Sequence, residues 1–334
     1  MDNVENAFYV GEAAWHGKGT VLQSPPTIAE ALRLSGLDWT VSGRSLYLLS
    51  DDGIPIALGT GHQAIVRDSD GSHLGCVGKG YQPIQNAKAF EPFQPLLDSG
   101  LVDLEAAGSL REGRRVWILG KIVGAQADVL PGDSLRGYVV FYNSHDGSLK
   151  AAYQRTAIRV VCDNTIQAAA NEGQAGHEAR ILIRHTGDVN GRVDDITERF
   201  RNAAFSFSEE VERYRQLTRL DIGSDANLER YFDGILRIHE RKERTSAAQV
   251  LGLSHEKEAV EIDVGRKQKE ELRAAFEEQP GASLGSGTMW QAYNAVTYWV
   301  DHVRGRSEEN RLNASWFGDG PRIRDRAMSL ALAA

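Results

Sequence analysis

The residues with the most chemistry to offer crowd into one run, Tyr142-Asn-Ser-His-Asp-Gly-Ser-Leu-Lys-Ala-Ala-Tyr-Gln-Arg-Thr-Ala-Ile-Arg-Val-Val-Cys-Asp-Asn-Thr165. His145 and Asp146 are an acid–base pair in principle. Their setting, Asn143-Ser-His-Asp-Gly147, is what a tight turn between strands requires, so the pattern predicts a turn with an exposed His145. Cys162 is a possible nucleophile. However, Ile158, Val161, Cys162, Thr165 and Ala169 fall on one helical face, which predicts a helix over 158–170 with an inert, packed thiol. His73 and Cys76 have a ligand-like separation, but no second pair completes a tetrahedral zinc site. In Gly75-Cys-Val-Gly-Lys-Gly-Tyr81 no glycine stands five residues before Gly78 and no Ser or Thr follows Lys79, so this is not a Walker motif. Gly281, Gly285 and Gly287 have no lysine beside them and read as an entry to the helix that follows. No catalytic signature emerges, and neither a metal nor another cofactor is called for. An enzyme built on His145, Asp146, Cys162 or His185 ranks third among the functional readings.

What does emerge is a set suited to binding. Arg111, Arg114, Arg115 and Lys121 surround one strand-like run, and Lys150, Arg155 and Arg159 lie on or after another. Trp117, Tyr138, Tyr142 and Tyr153 are interleaved with them. Single-stranded nucleic acid is held by cations that track phosphates and by aromatic faces that stack on bases. Strand alternation puts Tyr153 and Arg155 on one face and Lys150 with Gln154 on the other, so some of these side chains belong to the core. The expected nucleic-acid-binding set is Lys79, Arg111, Arg114, Arg115, Lys150, Tyr153, Arg155 and Arg159.

Charge sharpens this choice. The chain of 334 residues carries a net charge of −8, which argues against indiscriminate coating of nucleic acid. Residues 1–110 hold 6 basic against 13 acidic side chains, 111–185 hold 10 against 7, and 186–334 hold 22 against 26. The middle block, which contains the run above, is the positive one.

The elements that must position these groups follow from hydrophobic period. Strand-like runs occupy 45–49, 63–67, 74–77, 115–119, 138–142 and 179–184. Thr27 with Glu30 three residues later and Gly36 at the far end marks a capped helix. A second helix over Asn86–Leu97 must kink or end early at Pro92 and Pro95. Beyond 186 the period turns helical: Ile196 to Tyr214, Leu228 to Glu243, the charged run Glu256 to Glu278, and Thr288 to Val303. The last has apolar groups facing two ways and calls for neighbours on both sides, either a core or another subunit. The fold class is therefore α+β, mainly an antiparallel sheet with packed helices in the N-terminal half and a helical C-terminal half. The expected domains are 1–185, with the basic hairpin region, and 186–334.

With 41% hydrophobic and 25% charged residues the composition is that of an ordinary globular chain. The acidic start Met1-Asp-Asn-Val-Glu-Asn and the lack of a long apolar run argue against secretion and membrane insertion. Two cysteines, Cys76 and Cys162, are too few for a disulfide framework, so a cytoplasmic location is expected.

Several spaced motifs carry a resemblance: Ala7 to Thr20, Gly36-Leu-Asp-Trp-Thr40, Tyr81-Gln-Pro-Ile-Gln-Asn86, Gly108 to Leu119, Asn143 to Gly147, Ile158 to Thr165, Arg184-His-Thr186, Trp290 to Thr297 and Trp316 to Gly320. Together they resemble the phage/plasmid-like protein family, a domain of unknown function, which implies a mobile-element setting. More distantly, the order of helix, strands, helix, long hairpins and helix is similar to single-strand annealing proteins of the Rad-fifty-two type. Those form rings that hold stripped DNA in a basic groove without a cofactor. The resemblance implies single-stranded DNA binding and strand annealing in phage or plasmid recombination, by a homo-oligomer such as a ring. The alternative is a protein-interaction factor of a mobile element, such as a host-defence antagonist, contacting its partner through the acidic N-terminal third.

Overall fold

The computed structural model describes residues 4–11, 19–59, 61–160, 164–167, 180–186, 207–237, 255–305, 307, 311, 314–316 and 318–334. The fold is α+β and rich in antiparallel pairing. By compactness the chain forms two units. The first comprises residues 1–125, 137–156 and 172–206; the second comprises 126–136, 157–171 and 207–334. No helix among the described residues is long and apolar enough to cross a membrane.

The largest sheet runs through β1 (Val4–Val10), β2 (Thr20–Leu22), β8 (Val102–Leu110), β9 (Arg115–Leu130), β10 (Asp133–Ser144), β11 (Ala151–Arg159), β12 (Asn164–Gln167) and β13 (Arg180–Ile183). Its order is β12-β11-β10-β9-β8-β1-β2, with β13 also paired to β11. A three-stranded sheet, β3 (Val41–Arg44), β6 (His62–Arg67) and β7 (His73–Gly78), and a separate ribbon, β4 (Tyr47–Leu49) with β5 (Pro55–Ala57), lie in the first unit.

Helix α1 (Ile28–Leu34) starts at the expected capping box: Thr27 Oγ1 accepts from the Glu30 N–H while the Glu30 carboxylate accepts from the Thr27 N–H. The Asn86 segment breaks as its prolines require, into α2 (Asn86–Phe90), a tight turn over Glu91–Phe93 and α3 (Gln94–Asp98). Phe90, Phe93 and Leu96 from this segment enter a core with Phe8, Leu104, Ile118, Phe141 and Tyr153.

The second unit holds α4 (Phe207–Thr218), α5 (Asp225–Leu236), α6 (His255–Glu278), α7 (Met289–Tyr298), continued by a π turn over Trp299–Val303, and α8 (Gly320–Leu332). Helix α7 is buried from Met289 to Thr297, which accounts for its two apolar faces: both meet the chain's own core. Sequence periodicity placed the start of the α4 helix near Ile196, and residues 187–206 lie outside the described residues.

One helix expected from periodicity does not form. Residues 158–170 were expected to be helical, yet Ile158 and Arg159 finish β11 and Asn164–Gln167 form β12 alongside it. The segment is rich in β-branched residues (Ile158, Val160, Val161, Thr165, Ile166), and a short apolar run takes whichever structure offers pairing. Cys162 lies outside the described residues.

Candidate functional site: a buried polar cluster under a basic rim

The turn that closes β10 is the centre of the site. Asn143, Ser144 and His145 are buried, and His145 is 0% exposed, against the expectation of a solvent-facing histidine. Asn143-Ser-His-Asp-Gly147 does form a turn, but its histidine folds inward. Asp146 Oδ1 accepts from the Ser148 N–H at 2.8 Å, and Gly147 sits at a positive φ of 72°. Gly75 of β7 lies directly beneath this turn, because a Cβ there would strike the Asp146 backbone.

Inside, the His145 backbone N–H donates to the Arg114 carbonyl (2.8 Å), and its Nε2 meets Asn86 Oδ1 at 3.0 Å. Asn86 spends its amide donors on the carbonyls of Leu37 (3.1 Å) and Trp39 (3.3 Å), so its oxygen faces the imidazole. An amide oxygen only accepts, so Nε2 carries the proton and Nδ1 has a lone pair. Burial, reinforced by the charges His185 and Arg67 would present, drives the His145 pKa down to about 3, so the ring is neutral.

His185 repeats the pattern. Its Nδ1 lies 3.2 Å from the Gln82 carbonyl, its own carbonyl accepts from the Gln82 N–H (2.7 Å), and its ring stacks on Tyr81 at 4.5 Å. Burial lowers its pKa as well, partly offset by the Gln82 hydrogen bond. Tyr81 ties the two histidines together, since its hydroxyl donates to the Ser144 carbonyl at 2.6 Å. Three buried acceptors in this cluster, His145 Nδ1, His185 Nε2 and Asn143 Oδ1, have no hydrogen-bond donor.

Above them Trp39 packs edge-on against His145 (5.2 Å), and the Arg67 guanidinium lies over the indole at 4.8 Å. Arg67 donates to the Glu112 carbonyl at 2.6 Å and pairs with Asp70 at 3.3 Å. That carbonyl is presented by an unusual β8–β9 loop, in which Arg111, Glu112 and Gly113 take φ values of 55°, 58° and 81° in succession. Left-handed backbone at two non-glycine residues costs of order 1 kcal/mol each, and such strain collects at functional positions. Only glycine fits at 113, where a Cβ would collide with the Arg67 guanidinium.

The rim is mainly cationic, with the exposed Glu112 carboxylate 3.9 Å from Arg114. Arg111 and Arg114 come from the strained loop, and Lys79 from the turn that leads into Tyr81. Lys150 sits beside Arg184 through the β11–β13 register, in which Ala151 faces Ile183. Arg115 lies buried beneath them, donating to Ser148 Oγ at 3.1 Å; burial and the neighbouring Arg111 lower its pKa. Lys79, Lys150 and Arg184 are exposed, Arg111 and Arg114 partly so.

The expected binding set thus divides. Lys79, Arg111, Arg114 and Lys150 gather at the rim, with Arg115 as a buried support. Arg155 lies further along β11, half-buried, with its Nε and Nη1 out of solvent. Tyr153 is 1% exposed, packed on Phe141 and Phe93 with its hydroxyl donating to the Ala89 carbonyl, so in this fold it is a core residue rather than a stacking platform. Arg159 is 1% exposed and belongs to the second unit, paired with Asp133. Trp117, Tyr138 and Tyr142 are likewise buried. Asn86, Arg67, Tyr81 and Arg184 complete the cluster although the sequence marks none of them as a site residue, and His185 enters the sequence reading only as part of the enzyme alternative. The signal was available in part, since Tyr81–Asn86, Asn143–Gly147 and Arg184–Thr186 were conspicuous motifs whose convergence no linear spacing reveals.

His73 and Cys76 are exposed on β7, and among the described residues no group of three His, Cys, Asp or Glu side chains could hold a metal. The cluster can accept hydrogen bonds inside and attract anions outside.

An antiparallel-rich sheet with packed helices defines an α+β protein. Residues 73–316 match the family described as Domain of unknown function (DUF932), and the chain belongs to that family. No curated protein and no solved structure matches. The matched span includes the Tyr81, Asn143 and Arg184 motifs, whereas the Trp39 segment precedes it.

Proposed function

We propose that this protein binds single-stranded DNA through its phosphates and promotes strand annealing. The observation that carries the reading is the convergence on the His145 turn of four chain segments that carry Lys79, Arg111 with Arg114, Lys150 and Arg184. Cations that track a phosphate backbone supply most of the affinity of sequence-independent binding. The aromatic residues first expected to stack on bases are in the core, so a strand held here is held by its backbone. Its bases then remain free to meet a complementary strand, which is what annealing needs. The buried cluster has a positioning role: Asn86, His145 and Arg67 hold the turn and the strained loop that present Arg111 and Arg114.

The test is a mobility shift of a labelled single-stranded oligonucleotide across a salt series. Five phosphate contacts predict a slope of log affinity on log salt of roughly −3.5, or about a hundredfold loss for a fourfold rise in salt. Lys150→Ala with Arg184→Ala should flatten that slope by roughly 1.4. Binding that ignores salt, or a double variant that binds as tightly as the parent, would remove the rim from the account. Acceleration of pairing between complementary oligonucleotides, lost in the same variant, tests annealing separately.

A further inference from the structure

The β4–β5 ribbon is the most apolar exposed feature among the described residues. Tyr47, Leu48, Leu49, Ile54 and Ile56 are between 56% and 73% exposed. Alternation sends Tyr47 and Leu49 to one face and Leu48 to the other, so both faces are bare. The ribbon is nevertheless a formed element: Tyr47 pairs with Ala57, Leu48 with Ile56 and Leu49 with Pro55. Its turn is closed by the Gly53 N–H to the Ser50 carbonyl (2.8 Å), the Ser50 N–H to the Ile54 carbonyl (2.9 Å) and the Ile54 N–H to Ser50 Oγ (3.0 Å). A two-stranded ribbon alone in water is marginal, and apolar surface concentrated this way marks a contact.

Its charges say what the contact is. The tip carries Asp51 and Asp52, both exposed. The base carries Arg44, whose side chain is 64% exposed although paired with Asp68, and Lys79, whose backbone N–H bonds the Gly61 carbonyl where the ribbon rejoins β6. Acid at one end, base at the other and apolar side chains between make the ribbon complementary to itself when reversed. Tip and base lie about 20 Å apart along the strand, roughly twice the screening length at 0.1 M salt, so within one chain they scarcely attract. In an antiparallel pair of ribbons they are adjacent.

We propose that the protein self-associates through this ribbon as a two-fold dimer. The Tyr47–Ile56 centre of one copy packs on that of the other, and Asp51 and Asp52 of each reach Arg44 and Lys79 of its mate. Such an interface is isologous, the commonest form of self-association. It shares only Lys79 with the nucleic-acid reading, and its test contains no nucleic acid.

The experiment is sedimentation of the full chain across a concentration series, with far-UV circular dichroism as the check on folding. The parent protein is a dimer at high micromolar concentration. Asp51→Lys with Asp52→Lys makes both ends of the ribbon basic, and Arg44→Glu with Lys79→Glu makes both ends acidic; each variant alone is a monomer with an unchanged spectrum. Mixed in equal amounts, the two form a dimer containing one of each. A monomeric parent, either variant remaining dimeric, or a mixture that stays monomeric overturns the proposal. So does a parent that gains mass only with anionic vesicles or with another protein, because the ribbon then has a different occupant.

Discussion

Two buried polar clusters, one in each unit, have opposite characters. In the second unit Asp133 is 0% exposed, with Oδ1 accepting from Arg159 Nε (2.6 Å) and Oδ2 from both Arg159 Nη2 (2.6 Å) and Trp290 Nε1 (2.8 Å). Arg159 completes its fork on the carbonyls of Pro280 (3.3 Å) and Gly281 (3.1 Å). Charge and hydrogen-bonding capacity are spent internally, tying the β9–β10 hairpin tip to the start of α7. The His145 cluster instead keeps three acceptors without donors, tolerates two non-glycine residues in left-handed backbone and carries a cationic rim. A closed network is a structural pin. An open network beside backbone strain is what makes the His145 cluster the candidate site.

Predictions that probe this contrast run from the largest effect to the smallest. Asp133→Ala should be the most damaging, because it strands a buried guanidinium; about 3–5 kcal/mol of stability is expected to be lost in chemical denaturation. A loss below about 1 kcal/mol would mean that Arg159 finds another partner or water, and that the pin is not closed.

Acid should act on the other cluster. His145 binds its proton only near pH 3 in the fold but near 6.5 in the unfolded chain, so between those values the unfolded state carries more protons. Stability therefore falls as pH drops from about 6.5 towards 3, by up to about 1.4 kcal/mol per unit from this residue, and His185 adds in the same direction. His145→Gln should reduce the slope of unfolding free energy against pH by that amount. An unaltered slope would place the acid sensitivity elsewhere.

Gly113→Ala sharpens the comparison at the strained loop. With φ at 81° and the Arg67 guanidinium in the way, it should lower stability by about 1–3 kcal/mol and also weaken DNA binding by displacing Arg111 and Arg114. Loss of stability with full binding would separate the loop from the rim. Lys150→Ala with Arg184→Ala should have the least effect on the fold, within about 0.5 kcal/mol, because both side chains are exposed. Thermal unfolding that shifts well beyond this would make them structural rather than rim residues.

Much of the architecture was legible locally. The capping box at Thr27, the break at Pro92 and Pro95, the β6 and β7 runs and the doubly buried α7 depend on spacing within a few residues, and each took its expected form. The 158–170 segment did not, because β-branched residues at helical spacing satisfy two patterns and pairing with β11 decides between them. His145 was misplaced for a related reason. Turn chemistry specifies the backbone of Asn143–Gly147, but says nothing of whether the side chain within it meets water or Asn86, 59 residues away.

The sequence by itself determined the α+β class, the capped and broken helices, the basic middle block and the motifs around Tyr81, Asn143 and Arg184, because period, caps and charge are properties of neighbouring residues. Only the tertiary structure decided which of those residues belong together. It sent Tyr153 and Arg159 inward, brought Arg184 to Lys150 through strand register, buried two neutral histidines and left the Tyr47–Ile56 ribbon bare. Burial and long-range hydrogen bonding arise from the packing of segments distant in the chain, and no local spacing encodes them.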